Sequence, residues 1–166
     1  ISFTFTRCEL FMCCKDMEKV KNLFRCTCPV TSAVDIVGDR WTLVIIKLML
    51  IQHCHTFKDI SESEEGIAPN ILSSRLKTML SLDLITKTHP PGNKKVNIYH
   101  LTDKGLSLSP IIYDLMAWSD TYLRDDHTTM IFRAEIQHSE DSREEIILKM
   151  QQHYQESVAS VLSDDH

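Results

Sequence analysis

The sequence predicts a mainly α fold with a small β-hairpin wing, and three observations carry that expectation. Arg40 to Leu50 is apolar nearly all round, through Trp41, Leu43, Val44, Ile45, Ile46, Leu48 and Leu50, a composition that suits a helix at the centre of a core. Leu72, Leu76, Met79 and Leu80 recur at helical spacing and leave Asn70, Ser74, Lys77 and Ser81 opposite them. After Leu84 the period changes: ITKTH and KVNIYHL are rich in β-branched and aromatic residues, and the PPGN between them supplies turn chemistry.

The remaining elements follow in order. At 166 residues the chain can bury one good core and is too short for two ordinary domains, so one body with extensions is expected. Residues 1–27 hold no sustained period and read as an N-terminal arm, with Met12 and Met17 as candidate natural starts. The body spans 28–126, and 127–166 form an acidic helical extension. A short helix is expected from Pro29 to Val37, closed by Gly38, with Asp39 capping the helix that starts at Arg40. Thr56 can cap a helix over Phe57 to Ser61, SESEEG makes the following turn, and GIAPNILSSRLK opens the next helix. Thr102 caps a return helix that Pro110 must restart or kink. Ile111, Leu115, Trp118 and Tyr122 then form an apolar stripe that needs a partner. In the extension, Ser142 and Glu145 make a capping-box pattern ahead of Ile147, Met150, Tyr154, Val158 and Val161. That helix can pack on its own domain or join an interface between subunits, because amphipathicity reports burial and not what provides it.

Helix, turn, second helix, basic hairpin and return helix together describe a winged helix-turn-helix, here with additional N- and C-terminal helices. The second helix has a polar outer face without acid, which suits a groove lined with phosphates. Charge distribution agrees. The net charge is -5, yet Gly66 to Thr102 holds five basic residues against Asp83 alone, while Asp120 to His166 holds eleven acids against four basic residues. The candidate DNA contacts are Pro69, Asn70, Ser73, Ser74, Arg75 and Lys77 on the helix, Asn93, Lys94 and Lys95 at the hairpin, and Arg40 as a further phosphate contact. Double-stranded DNA is the expected partner. A winged helix that binds protein in place of DNA is the alternative, since a fold does not fix a function.

Other classes are disfavoured. No apolar run reaches the length of a membrane span, and the opening ISFTFTRCELFMCC lacks the pattern of a secretory signal, so a cytoplasmic protein with reduced thiols is expected. No phosphate-cradling glycine loop, nucleophile elbow or helical pair of metal-binding histidines argues for an enzyme, and no cofactor is expected. Cys26 and Cys28, with His53, Cys54 and His55, invite a metal-responsive reading, but Cys-Thr-Cys is not the spacing of a structural zinc site.

The segments CPVTSAVDIVGDRWTLVIIKLM, FKDI, EGIAPNILSSRLKTMLSLDLI and YHLTDKG, with the later Pro110 and Trp118, together resemble the HxlR-type transcriptional regulators from Cys28 to about Tyr122. The resemblance implies a homodimeric winged helix-turn-helix from a bacterium or archaeon, with terminal helices building the dimer and each recognition helix in a major groove. It also implies that some members sense a small electrophile or oxidant through the cysteine of the opening Cys-Pro, here Cys28 and Pro29. The chain departs from the family where Ala68 replaces a polar helix cap, for which Pro69 partly compensates, and in the length that follows Asp126.

Overall fold

The computed structural model describes residues 24–25, 27–90, 95–127 and 141–163, and the chain divides into two compact units, Ile1–Asp39 and Arg40–His166. In the first unit, helix α1 (Pro29–Val37) starts with proline, whose fixed φ suits the first helical turn. Arg25 anchors the preceding chain: its Nε donates to Asp35 Oδ1 at 2.6 Å and its backbone N–H to Oδ2 at 3.1 Å. None of the residues of α1 is buried, and Val30 and Val34 are exposed.

The second unit is built around α2 (Thr42–Gln52), where Thr42, Ile45, Ile46, Leu48, Met49 and Leu50 are buried. Asp39 does not cap this helix as expected. A turn through Arg40 and Trp41 intervenes, so Trp41 takes the cap position without a side-chain hydrogen bond. At the other end His53 adopts a left-handed φ of 55°, and the Cys54 N–H donates to the Leu48 carbonyl. A capping box opens α3 (Phe57–Ser61): Asp59 N–H donates to Thr56 Oγ1 at 3.1 Å and Thr56 N–H to Asp59 Oδ2 at 2.9 Å. Gly66, at φ +64°, completes the turn into α4 (Pro69–Ser81), which buries Leu72, Leu76 and Met79.

Strands β1 (Ile85–Thr88) and β2 (Ile98–Leu101) pair antiparallel, with Ile85 opposite Leu101 and Thr88 opposite Ile98. The other edge of β2 is also engaged. Thr56 bridges Ile98, and the Tyr99 N–H donates to the His55 carbonyl at 2.7 Å, so the segment before α3 acts as a short third strand. Thr102 ties the hairpin to α5 (Asp103–Leu106): its Oγ1 donates to the Asp83 carbonyl and accepts from the Gly105 N–H. Proline restarts the chain as α6 (Ser109–Tyr122).

Helix α7 (Arg143–Ser163) begins with the expected capping box, in which the Ser142 N–H donates to Glu145 Oε2 at 2.7 Å and the Glu145 N–H to Ser142 Oγ at 3.4 Å. It packs on α2 and α6, within the unit Arg40–His166. Ile146, Ile147, Met150 and Tyr154 are its buried residues. Three polar contacts fix its height. Arg143 makes a two-pronged pair with Asp114 at 2.8 and 2.7 Å, Gln151 Nε2 donates to the buried Ser109 Oγ at 2.6 Å, and the Tyr154 hydroxyl accepts from the Leu101 N–H at 2.6 Å.

His55 and His100 are buried beside this helix, with ring centroids 6.3 Å apart. Ser157 Oγ donates to the Tyr154 carbonyl, so it accepts from His55 Nε2 at 3.0 Å; the ring therefore carries its proton on Nε2 and leaves Nδ1 without a partner. A second ring proton would have nowhere to go. Burial pushes both histidine pKa values below the ordinary one, and the neighbouring His55 adds to the effect at His100. As pH falls below about 6.5, the unfolded chain binds protons that the fold refuses, so stability declines by at most about 1.4 kcal/mol per pH unit for each histidine. The melting temperature should fall between about pH 7.5 and 5, less steeply in His100→Gln than in the wild type. Equal slopes would contradict this.

Candidate nucleic-acid interface

The outer face of α4 follows from its sequence PNILSSRLKTMLS, which contains no acid. Asn70, Ser74, Lys77 and Ser81 fall three or four positions apart and are exposed on one arc, with Pro69 and Ser73 exposed beside them. As expected, Ala68 offers no side-chain cap and Pro69 takes the first turn. The leading amides therefore keep the positive end of the helix dipole available to an anion. Thr78 Oγ1 donates back to the Ser74 carbonyl and Ser81 Oγ to the Thr78 carbonyl, which leaves Asn70, Ser73, Ser74 and Lys77 as the projecting polar groups.

Arg75 stands apart from them. It is half-buried with Nε out of solvent, because five residues of helix carry it about 140° round from Asn70. Arg40 is exposed at the head of α2, away from both α4 and the hairpin in the chain, with its guanidinium 4.8 Å from the Trp41 ring centroid. Lys95 is exposed on the return limb of the wing, whereas Asn93 and Lys94 lie outside the described residues. Sequence reasoning did not single out Lys87, which is exposed on β1. The local excess of basic residues had included it without marking it as a contact. Lys104 is engaged elsewhere, since its Nζ donates to the Leu82 carbonyl at 2.8 Å, where a cation suits the end of α4.

Two further sets of predicted residues are placed. Ile111, Leu115, Trp118 and Tyr122 on α6 are between 40 and 66 % exposed within the single chain, while the helix turns Ser109 and Ile112 inward. The Trp118 and Tyr122 rings lie tilted by 41° with centroids 5.7 Å apart. Cys28 is exposed at the cap of α1, and its pKa is lowered by the backbone N–H of Thr31, then the Thr31 hydroxyl and the Val30 N–H. The start of the helix thus favours the thiolate, while Arg25, near Cys28 in sequence, is committed to Asp35.

Among the described residues no group of three or more His, Cys, Asp or Glu side chains could hold a metal ion. The His55 ring turns into the core against Ser157 and Tyr154, Cys54 Sγ approaches the Gln52 carbonyl at 3.9 Å, and Cys26 lies outside the described residues. Among the described residues no helix is long and apolar enough to cross a membrane.

A helix-turn-helix with a polar, acid-free second helix, followed by a two-stranded wing, is the architecture of a DNA-binding transcriptional regulator. The chain belongs to the HxlR-like helix-turn-helix family, whose model matches residues 36–127. It is similar to the HTH-type transcriptional regulator YodB of Bacillus subtilis (strain 168), at 30% identity over 102 residues covering 61% of this chain and 90% of YodB. The crystal structure of PA1607 matches at 28% identity with a TM-score of 0.53, covering 59% of this chain and 67% of that one. The reduced form of HypR shares the fold at 19% identity and a TM-score of 0.53, covering 61% and 99% of the two chains.

Proposed function

We propose that the chain acts as a homodimer that recognises a specific duplex operator with α4 and grips the flanking phosphates with its wing. The observation that carries this reading is the acid-free exposed arc of Asn70, Ser73, Ser74 and Lys77, with Lys87 and Lys95 exposed on the hairpin that follows. Asn70 and Ser74 supply hydrogen bonds for base edges or phosphates, and the lysines supply counterion release. Two such helices related by a dimer axis call for half-sites about one helical turn apart, or a multiple of it. The exposed stripe on α6 supports the dimer, and the proposed regulator would meet its operator in the cytoplasm.

The test is salt-dependent binding to duplex DNA. Lys87→Ala with Lys95→Ala should weaken binding to every sequence and flatten the dependence of log affinity on log salt by about one unit for each phosphate the wing no longer neutralises. Wild-type affinity in that double variant at physiological salt would take the wing out of the interface. Binding of protein but not of DNA would favour the interaction-module alternative.

Cys28 supports a second element, control by a small electrophile or oxidant. The thiol is exposed and the amides at the start of α1 favour its thiolate, the form that reacts. Treatment with a quinone should change operator affinity in the wild type and leave Cys28→Ser unaffected. An equal response from both proteins would reduce Cys28 to a structural thiol.

A further inference from the structure

The buried polar chain beneath the wing starts on α7, outside the stretch that the family model matches. Two N–H groups of β2, those of Tyr99 and Leu101, point away from β1. That of Tyr99 is taken by the His55 carbonyl, and that of Leu101, past the end of the short bridge, is taken by the Tyr154 hydroxyl. The Tyr154 ring lies 5.8 Å from the His55 ring, and Ser157, one turn further along α7, holds His55 Nε2. His55 faces His100, whose Nε2 is 2.6 Å from Thr88 Oγ1 on the last paired residue of β1. The groups thus run from α7 under the sheet to the base of the hairpin tip, with ring proximity and no hydrogen bond between His55 and His100.

We infer that Tyr154 is a positioning residue for DNA binding: its hydroxyl on Leu101 and its ring against His55 fix β2, and so set the wing lysines relative to α4. The inference rests on the proposed DNA-binding reading. A two-stranded ribbon has little rigidity of its own, and its placement depends on what holds its outer edge. Here that edge is held by a short bridge and by one phenol from a helix that lies outside the helix-turn-helix itself. Tyr154 suits this role. It is buried and its pKa is pushed up to about 12, so the phenol stays protonated and neutral across the physiological range. The extension would then act on DNA affinity at a distance, through the sheet and without touching DNA.

The experiment compares the full chain with Tyr154→Phe, which keeps the ring and removes the acceptor, and with Ser157→Ala, which releases His55. Two probes are used: a mixed-sequence duplex of about three helical turns, and the duplex that the wild type selects from a random pool. Circular dichroism fixes a temperature at which all three proteins are folded. The expected result is several-fold weaker binding to both probes by Tyr154→Phe, with the salt slope shallower by about one unit for each phosphate that the displaced wing fails to reach and the ratio of selected to mixed affinity unchanged. Ser157→Ala should shift in the same direction by less. A merely structural role would lower the melting temperature and leave the salt slope at the wild-type value, and that outcome overturns the inference. If Tyr154→Phe does not fold, the decision rests on Ser157→Ala, and an unchanged slope there overturns it equally. If the wild type itself shows no salt-dependent duplex binding, the DNA-binding reading fails and this inference falls with it.

Discussion

Replacing Gly105 with alanine should lower stability by about 3 kcal/mol or more, enough to leave a large share of the protein unfolded at moderate temperature. A Cβ at Gly105 would collide with the Leu84 carbonyl oxygen and stand 3.2 Å from Leu101 Cδ2. The oxygen belongs to backbone that also accepts the Thr102 N–H at 3.1 Å, so it cannot give way without undoing the join between β1 and α5. Gly66→Ala offers the contrast. Its Cβ meets nothing within 4 Å, and the cost is only that of the φ of +64°, about 1 kcal/mol. Chemical denaturation of both variants checks the order. A Gly105→Ala midpoint equal to that of Gly66→Ala would mean that the close approach is relieved by a small shift.

Gly105 also marks where sequence reading ends. It lies in the first turn of a helix, where nothing in the sequence asks for a glycine, because a close approach to residue 84 leaves no trace in local pattern. Elements defined by periodicity and caps were legible: the apolar α2, the cap at Thr56, the capping box at Ser142, and the polar arc of α4. Long-range pairing was not legible, because it depends on residues far apart in the chain. The His53-Cys54-His55 run suggested metal ligands, whereas its backbone serves as a strand partner for β2 and the His55 ring fills core space against α7. The depressed pKa of Cys28 likewise comes from amides of its own helix and not from the cations near it in sequence.

The second large effect is expected on α6. In the proposed dimer, Trp118→Glu should raise the dissociation constant at least about thirtyfold, equivalent to about 2 kcal/mol, because an aromatic residue of the exposed α6 stripe is exchanged for a charge that the proposed interface would have to desolvate. The monomer should remain folded, since Ile111, Leu115, Trp118 and Tyr122 are exposed in the single chain and take no part in its core. Sedimentation at micromolar concentration, with circular dichroism alongside, separates the two effects. A Trp118→Glu protein that sediments like the wild type would place the dimer contact elsewhere. Loss of secondary structure in that variant would show that the stripe supports the fold itself.

In the proposed function α4 reads sequence. Selection of duplexes from a random pool, with wild type and Asn70→Ala side by side, tests it most directly, since an asparagine at the head of a recognition helix discriminates among base pairs through hydrogen bonds to base edges. The expected result is a recovered pair of half-sites for the wild type and a relaxed preference at one base pair per half-site for Asn70→Ala, with a penalty of about 1–3 kcal/mol on the original sequence. Recovery of the same sequences with the same affinity by both proteins would contradict the assignment of α4 as the reading helix.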